Sequence, residues 1–262
     1  SESIANKPKP IELSDYSPDD SWEQEAVRFL TVDCQHHLED FWAVCRAWAK
    51  DGSSRLVEFS RLASFDEIRE MQGRLEVKDH LTFLDVGYER HRVIAECARN
   101  GWAGMNGDDA VDFKQKVRNK TARLPYSSPN MVDCRDGTGR RVPVFRWSNP
   151  TIKDMLHNLR GGRGVGWEIT GEGRFTQSYL SQMDAERKRQ TTDRNGRPVL
   201  KWVRTRENHA WDCECMQIAA ACIGDILASG HDAGDAGGEH GAAGGVARGR
   251  EPTLVARRQV ER

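Results

Sequence analysis

The stretch RFLTVDCQHHLEDFWAVCRAWAKDGSSRLVEFSRLA, residues 28–63, decides the fold. It opens with RFLTVD (28–33), a short apolar run rich in β-forming residues, which predicts a strand. Residues 37–48 alternate between two faces, which favours a second strand over a helix, and residues 55–63 predict a third. The Asp51-Gly52 pair between them is a turn signal. Three consecutive strands with short connections predict an antiparallel meander.

The segment after the meander alternates between helix and strand. Residues 64–75 look helical, and Ser64 with Glu67 has the spacing of a capping box. An apolar run over 80–86 predicts a strand, helical periodicity resumes over 89–100, and a short strand is expected over 101–105. This order predicts an α/β fold with a mixed sheet, in which parallel strands extend the meander. Further along, a hairpin is expected from 131–133 and 141–147, a strand at 199–204, and helices at 150–159, 174–189 and 208–227.

Composition divides the 262 residues into three parts. Residues 1–25 are polar and proline-containing, which predicts a linker or extended arm. Residues 26–228 carry the apolar material of one folded domain. Residues 229–262 are rich in Gly, Ala and Arg, and such a tail is expected to be disordered because it cannot bury enough apolar surface. The sequence has neither an 18-residue apolar run nor an apolar region of a secretory signal, so a cytoplasmic protein is expected.

The cysteines and the charges narrow the chemistry. Seven cysteines are irregularly spaced without a CxxC pair, which argues against a disulfide framework and a standard zinc finger. Residues 113–206 hold 21 Lys plus Arg but only 8 Asp plus Glu, although the net charge of the chain is -1. Such a segment indicates a polyanion-binding face, unless the acidic remainder balances it in three dimensions. The candidate DNA-binding residues are Lys114, Lys116, Arg118, Lys120, Arg123, Arg187, Lys188 and Arg189.

Three aspartates lie where their carboxylates could converge. Asp33 and Asp85 each end a predicted strand, and Asp212 shares a helix face with Met216 that is expected to meet the core. An ionised carboxylate there is costly unless it is paired or binds a metal. Each aspartate alone is commonly a turn former or a helix cap, so the hypothesis depends on all three. Together they would suit Mg²⁺ or Mn²⁺, and two such ions about 4 Å apart support phosphodiester cleavage.

Three segments, residues 32–48, 81–100 and 201–221, resemble motifs of the lambda-like terminase large subunit family of tailed phages. VDCQHHLEDFWAVCRAW (32–48) is similar to the first motif, an Asp followed by Gln before a hairpin strand. LTFLDVGYERHRVIAECARN (81–100) is similar to the second, which runs from a strand through Asp and Gly into a helix. KWVRTRENHAWDCECMQIAAA (201–221) is similar to the third, in which a Trp and an Asn precede the Asp. Their order and spacing agree across residues 29–222.

The resemblance implies a ribonuclease H-like fold, a mixed sheet of a three-strand antiparallel meander plus parallel strands flanked by helices. It implies a hydrolase, a DNA endonuclease that cleaves double-stranded viral DNA during genome packaging in the host cytoplasm. Two divalent ions, Mg²⁺ or Mn²⁺, would be held by Asp33, Asp85 and Asp212. Near neighbours of these ligands, kept as secondary candidates, are Gln35, Asn208 and Glu214. The implied partners are double-stranded DNA, the terminase ATPase domain, the small terminase subunit and the portal.

The sequence departs from the family in two respects. It contains no GxxxxGK[ST] phosphate loop, so the chain is expected to be a fragment, an engineered domain or one half of a split protein. It also has Asn-Gly-Asp-Asp at 106–109, where Lys-Gly is expected.

Other functions stay open at this point. A non-catalytic DNA-binding or assembly module could use the same fold, and so could a junction resolvase or an exonuclease. A zinc site is a further alternative. Its candidate ligands, which flank Asp33 and Asp212, are Cys34, His36, His37, His209, Cys213 and Cys215.

Overall fold

The computed structural model describes residues 10–35, 38–117, 120–135, 137–192 and 195–227. The strands are β1 (Glu25–Cys34), β2 (Phe41–Ala49), β3 (Ser54–Leu62), β4 (Thr82–Asp85), β5 (Ala103–Asp108), β6 (Phe113–Val117), β7 (Lys120–Leu124), β8 (Asn130–Asp133), β9 (Arg141–Ser148), β10 (Trp167–Glu168), β11 (Glu186–Thr192) and β12 (Pro198–Arg204). The helices are α1 (Phe65–Arg74), α2 (Arg90–Asn100), α3 (Asn149–Arg160), α4 (Thr176–Met183) and α5 (His209–Ile223), and a short 3₁₀ turn, Asp79–Leu81, precedes β4.

Eight strands form one mixed sheet in the order β10-β3-β2-β1-β4-β5-β9-β8. β1, β2 and β3 make the expected antiparallel meander. β4, β5 and β9 extend it in parallel from the β1 side. The predicted hairpin is formed by β8 and β9 at that edge. The strand order and directions confirm the predicted architecture, a mixed sheet of a three-strand antiparallel meander plus parallel strands flanked by helices.

Helix α5 is the centre of the core. It packs on β1 and β2 and is buried nearly all round, as expected of an Ala-rich helix without a polar face. Gln217 fixes its position, because its Nε2 donates to the carbonyl oxygens of Phe29 and Val44, each over 2.9 Å. The Gln217 Oε1 accepts from Trp48 Nε1 over 3.1 Å. These bonds hold the first turn of α5 near the carboxyl end of β1.

The predicted cap of α1 is confirmed. Ser64 accepts a hydrogen bond from the Glu67 N–H over 3.2 Å, and Glu67 Oε2 accepts one from the Ala63 N–H over 2.8 Å. Ser64 therefore satisfies one of the orphan N–H donors of the first helical turn, and Glu67 reaches back to the N–H of the residue before the cap.

The helix predicted over 174–189 is wrong in its second half. α4 ends at Met183, and the next residues form β11, which pairs with β12 from Glu186↔Arg204 to Thr192↔Pro198. Arg, Lys and Gln favour helix as isolated residues, but here cross-strand pairing decides the conformation. Cross-strand pairing also forms the hairpin of β6 and β7, for which the sequence made no prediction of secondary structure.

The two hairpins, β6–β7 and β11–β12, lie outside the large sheet. Residues 10–24 lie against the sheet: Ser14 bridges to Thr170, and Tyr16 Oη donates to the Leu56 carbonyl over 2.8 Å. The predicted tail, 229–262, lies outside the described residues. In the part of the chain that is described, no helix is both long enough and apolar enough to cross a membrane.

Candidate functional site

Two of the aspartates lie side by side at the carboxyl ends of the parallel strands β1 and β4. β1 and β4 run parallel with Val32 opposite Leu84, so the next position places Asp33 beside Asp85 on one face. The Gly87 N–H donates to Asp85 Oδ1 over 3.2 Å. A Cβ at Gly87 would lie 3.1 Å from Asp85 Oδ2, so glycine leaves room for this carboxylate.

Helix α5 brings the third aspartate to the same place. Asp212 lies in the first turn of α5, and its Oδ2 accepts a hydrogen bond from Asn208 Nδ2 over 2.9 Å. Asp33, Asp85 and Asp212 all line one cavity of about 300 Å³. The rest of the lining comprises Asn106, Gly107, Trp147, Asn149, Lys153, Glu186, Asn208 and Met216. The structure thus brings together the three carboxylates that the sequence singled out.

Asp33 is held by two neighbours. Gln35 Nε2 donates to Asp33 Oδ2 over 2.6 Å, and His209 Nδ1 lies 2.8 Å from the same oxygen. The His209 ring stacks on Trp42 with ring centroids 5.6 Å apart. Gln35 and Asn208, both secondary candidates, therefore contact cavity aspartates directly.

Two charged residues that the sequence analysis missed also line the cavity. Lys153 Nζ, from α3, donates to both oxygens of Glu186, the first residue of β11, over 2.8 and 2.7 Å. Asn208 Nδ2 donates to Glu186 Oε1 over 2.8 Å as well as to Asp212. Glu186 was hidden inside a predicted helix, and the only signal for it is an acid that opens the basic run ERKR.

Burial and the neighbouring negative charge raise the pKa of two cavity carboxylates, those of Asp85 and Asp212. Burial raises the pKa of Asp85 to about 7, and the neighbouring charge of Asp33 adds to the shift. Burial also raises the pKa of Asp212 well above its usual range, with Asp33 adding to the shift and Lys153 opposing it. Burial lowers the pKa of Lys153, but nearby negative charge, including Glu186 and Asp212, raises it on balance.

This set of groups fits a hard divalent cation in its chemistry. Four carboxylates and one ammonium line the described cavity, so negative charge is in excess. Carboxylate oxygens are the ligands that Mg²⁺ and Mn²⁺ prefer. As they stand, no three His, Cys, Asp or Glu side chains of the described residues are grouped closely enough to hold a metal ion.

The zinc alternative gains no support. Cys34, Cys213 and Cys215 are fully buried, and burial raises the pKa of each thiol well above its usual range. Cys213 Sγ already donates to the Trp42 carbonyl over 3.2 Å. His36 and His37 lie outside the described residues.

Glu214 is not a cavity residue. Its carboxylate is completely buried and pairs with Arg46, with Nη2 2.8 Å from Oε1. Tyr179 Oη donates to the same oxygen over 2.6 Å. Glu214 therefore belongs to a core ion pair on another face of α5.

The basic residues predicted to bind DNA lie on the two hairpins. In β6–β7, Lys114 is opposite Arg123 and Lys116 is opposite Thr121, so these side chains share one face. The other face carries Phe113, which is buried. Arg123 pairs with Asp112 over 3.0 Å. Lys120 is opposite Val117, so it belongs to the same face of the hairpin as Phe113. Arg118 lies outside the described residues.

In β11–β12, the two faces differ. Arg187 and Arg189 point away from the α3 side together with Lys201, which is opposite Arg189 and was not among the predicted residues. Lys188 faces the other way, because its Nζ lies 2.7 Å from Asp154 of α3 and 5.7 Å from the centre of the Trp202 ring. Within the described residues, no ion pair engages Arg187, Arg189 or Lys201.

Comparison with known proteins gives two matches. Residues 114–228 match the family model of the terminase large subunit gpA, endonuclease domain. Among solved structures, the nuclease domain of the large terminase of bacteriophage SPP1, with bound Mn, is 10% identical with a TM-score of 0.38, over 73% of this chain and 85% of that chain. No curated protein matches the sequence.

The family match extends over α3, both strands of β11–β12 and α5, and so includes Lys153, Glu186 and Asp212. It does not reach Asp33 or Asp85, which are placed at the cavity by the fold. The chain is thus similar to the endonuclease domain of a terminase large subunit, which confirms the resemblance that its three sequence motifs indicated.

Proposed function

We propose that this chain is a metal-dependent endonuclease that cleaves double-stranded viral DNA during genome packaging. Asp33, Asp85 and Asp212 are the metal ligands in this proposal, and two Mg²⁺ or Mn²⁺ ions are the cofactors. The match to the gpA endonuclease domain supports a nuclease role in packaging.

One observation carries the proposal. Aspartates from β1, β4 and α5 line a single cavity, although a buried cluster of like charges is unfavourable by itself. Such a cluster persists where function requires it, and clustered carboxylates with raised pKa values are typical of catalytic sites. Divalent ions held there would supply the positive charge that activates a water molecule and stabilises the leaving oxygen.

The hairpins supply contacts suited to DNA. Glu186 lines the cavity, and the outward face of the same hairpin begins at the next residue, with Arg187, Arg189 and Lys201. The face of β6–β7 with Lys114, Lys116 and Arg123 is a second basic surface. Such groups bind phosphates without regard to sequence, as a packaging nuclease requires. The proposed partners beyond DNA are the terminase ATPase domain, the small subunit and the portal, in the host cytoplasm.

The test is plasmid cleavage by the purified chain with Mn²⁺, Mg²⁺ or EDTA. We expect nicking and linearisation only with a divalent metal, and loss of both in Asp33→Asn, Asp85→Asn and Asp212→Asn. Asp66→Asn, at an exposed Asp that pairs with Arg69 on α1, is the control and should cut normally.

Other outcomes would point elsewhere. DNA binding without cutting under every condition would favour a non-catalytic DNA-binding module. Preference for branched DNA or free ends would favour a resolvase or an exonuclease. Equal cutting by the wild type and the three cavity variants would refute the assignment of the ligands.

A further inference from the structure

The described lining of the cavity carries an excess of negative charge. With all groups ionised, the four carboxylates and the ammonium of Lys153 give a formal charge of −3. A DNA phosphodiester carries a negative charge and is repelled by such a surface. Among the described lining residues, Lys153 is the only Lys or Arg. Among these described residues it is therefore the one fixed cation that can meet a phosphate oxygen there.

The position of Lys153 is set by other residues of the same cavity. Its side chain is 13% exposed and the side chain of Glu186 is 3% exposed, so the pair is largely withdrawn from bulk water. Two contacts to Glu186 occupy two of the three N–H donors of the ammonium, which leaves one for a ligand. Asn208 orients Glu186 and Asp212 with the same amide group. The remaining donor is thus held in a defined position relative to Asp212.

A purely structural role explains less of this arrangement. Breaking a buried ion pair is costly, but keeping one stabilises a fold little compared with apolar residues of similar size. The Lys153–Glu186 pair is also at a cavity wall and not in the apolar core, in contrast to the Arg46–Glu214 pair. A cation at the wall of a polar cavity is in the position where electrostatic stabilisation of phosphoryl transfer is most effective.

We propose that Lys153 is a catalytic residue that donates to a non-bridging oxygen of the scissile phosphate, and that Glu186 is a positioning residue that acts through it. This inference rests on the proposed nuclease function. In the hydrolysis, the water oxygen forms a new bond to phosphorus, and the P–O bond to the leaving sugar oxygen breaks with its electron pair. The proton lost by the water reaches the leaving oxygen through solvent. Lys153 stays protonated and neutralises charge on the phosphate oxygens.

The decisive experiment compares Lys153→Gln, Lys153→Arg, Glu186→Gln and the double variant Lys153→Gln/Glu186→Gln with the wild type. Lys50→Gln is the matched control, because Lys50 is exposed just beyond Ala49, at the opposite end of β2 from Trp42, the partner of Asp33. Single-turnover cleavage of saturating duplex DNA gives the rate. Calorimetry with Mn²⁺ and DNA-binding assays in EDTA are the readouts that do not depend on activity. Thermal unfolding verifies that each variant is folded.

We expect Lys153→Gln to lower the single-turnover rate by a factor on the order of 10² to 10³, the usual effect of losing one charge-stabilising donor. Mn²⁺ affinity should be unchanged or higher, because a positive charge near the carboxylates is removed, and DNA affinity should change by less than about threefold. Lys153→Arg should recover part of the rate. Because Glu186 acts through Lys153, the double variant should be no slower than Lys153→Gln.

Three results would overturn the inference, each for a separable reason. A wild type that cuts nothing with any metal removes the proposed function and this role with it. A cutting wild type with Lys153→Gln within about threefold of its rate leaves the nuclease intact and excludes Lys153. Mn²⁺ binding that is weakened at least about tenfold in Glu186→Gln, as expected for a lost ligand, or additive rate losses in the double variant, would show that Glu186 acts on the metal directly and not through Lys153.

Discussion

Asp212 and Glu214 are two residues apart on α5, but the charges around their carboxylates are opposite in balance. Glu214 is completely buried and fully partnered by Arg46 and Tyr179. Asp212 lies at the cavity, where the one direct side-chain donor to it among the described residues is the neutral Asn208, and its charged neighbours include Asp33. One carboxylate is neutralised by the protein, and the other is part of an excess of negative charge. A balanced buried charge is structural, whereas an unbalanced one at a cavity calls for an external cation.

The largest effect on stability should come from breaking the balanced pair. Arg46→Met leaves Glu214 buried without its cation, and we expect a loss of about 3–5 kcal/mol in the free energy of unfolding. Arg46→Met/Glu214→Met should recover much of that loss, because no unpaired charge remains. Urea unfolding in EDTA, followed by circular dichroism, measures both. A loss below about 1 kcal/mol in the single variant would contradict the structural role of this pair.

Removing an unbalanced cavity charge should instead stabilise the fold. The pKa of Asp85 is raised to about 7 in the folded state, so the unfolded chain releases this proton first as the pH rises. The free energy of unfolding should therefore fall between about pH 4 and pH 7 and level off above that range. Asp85→Asn removes this fall and should be more stable than the wild type by about 2–4 kcal/mol near pH 8 in EDTA.

This difference should vanish near pH 4, where the wild-type carboxyl is protonated in the folded state. Asp66→Asn, at an exposed position, should show no such pH-dependent gain. Denaturation curves at several pH values provide the measurement. If the difference in the free energy of unfolding between Asp85→Asn and the wild type is the same at every pH, burial does not raise the pKa of this carboxylate.

A smaller effect, on DNA affinity, is expected when basic residues on the two faces of the β11–β12 hairpin are substituted. Arg187→Gln/Arg189→Gln should weaken duplex binding and reduce the slope of log affinity against log salt by about 2, one for each lost phosphate contact. Lys188→Gln should change the slope much less, because Lys188 is already paired with Asp154. Fluorescence anisotropy in EDTA at several salt concentrations distinguishes the two. Equal slopes for both variants would mean that the outward face does not contact DNA.

The smallest effect should come from crowding a single cavity carboxylate. A Cβ at Gly87 would lie 3.1 Å from Asp85 Oδ2, so Gly87→Ala should displace that oxygen slightly. We expect a several-fold lower cleavage rate with little change in thermal stability. Gly73→Ala, on α1 with open space around its Cβ, is the control. If both glycine variants cut at the wild-type rate, the precise position of Asp85 matters less than its charge.

The positions of the aspartates were predictable because each depends on a local pattern. Asp33 and Asp85 end apolar strands, and the pairing of two parallel strands then brings them together. Asp212 follows from helical periodicity, which also separates it from Glu214 two residues later. The meander and the mixed sheet were predictable for the same reason, since alternation and turn signals are local.

Lys153 and Glu186 were not predictable because their meeting is tertiary. Glu186 starts a strand whose residues favour helix in isolation, and only pairing with β12 fixes its conformation. Lys153 lies on a helix face where a lysine is ordinarily exposed, and only the approach of β11 makes it a cavity residue. The face of the hairpin on which Lys188 lies was not predictable either, because a one-residue change of register would exchange the two faces.

The most direct test of the contrast between the two carboxylates is calorimetric titration of the chain with Mn²⁺ at neutral pH. The wild type and Asp66→Asn should bind Mn²⁺ saturably, and Asp212→Asn should bind at least about tenfold more weakly while remaining folded. Absence of Mn²⁺ binding in the wild type, or equal affinity in Asp212→Asn, would contradict the assignment of the cavity carboxylates as a metal site.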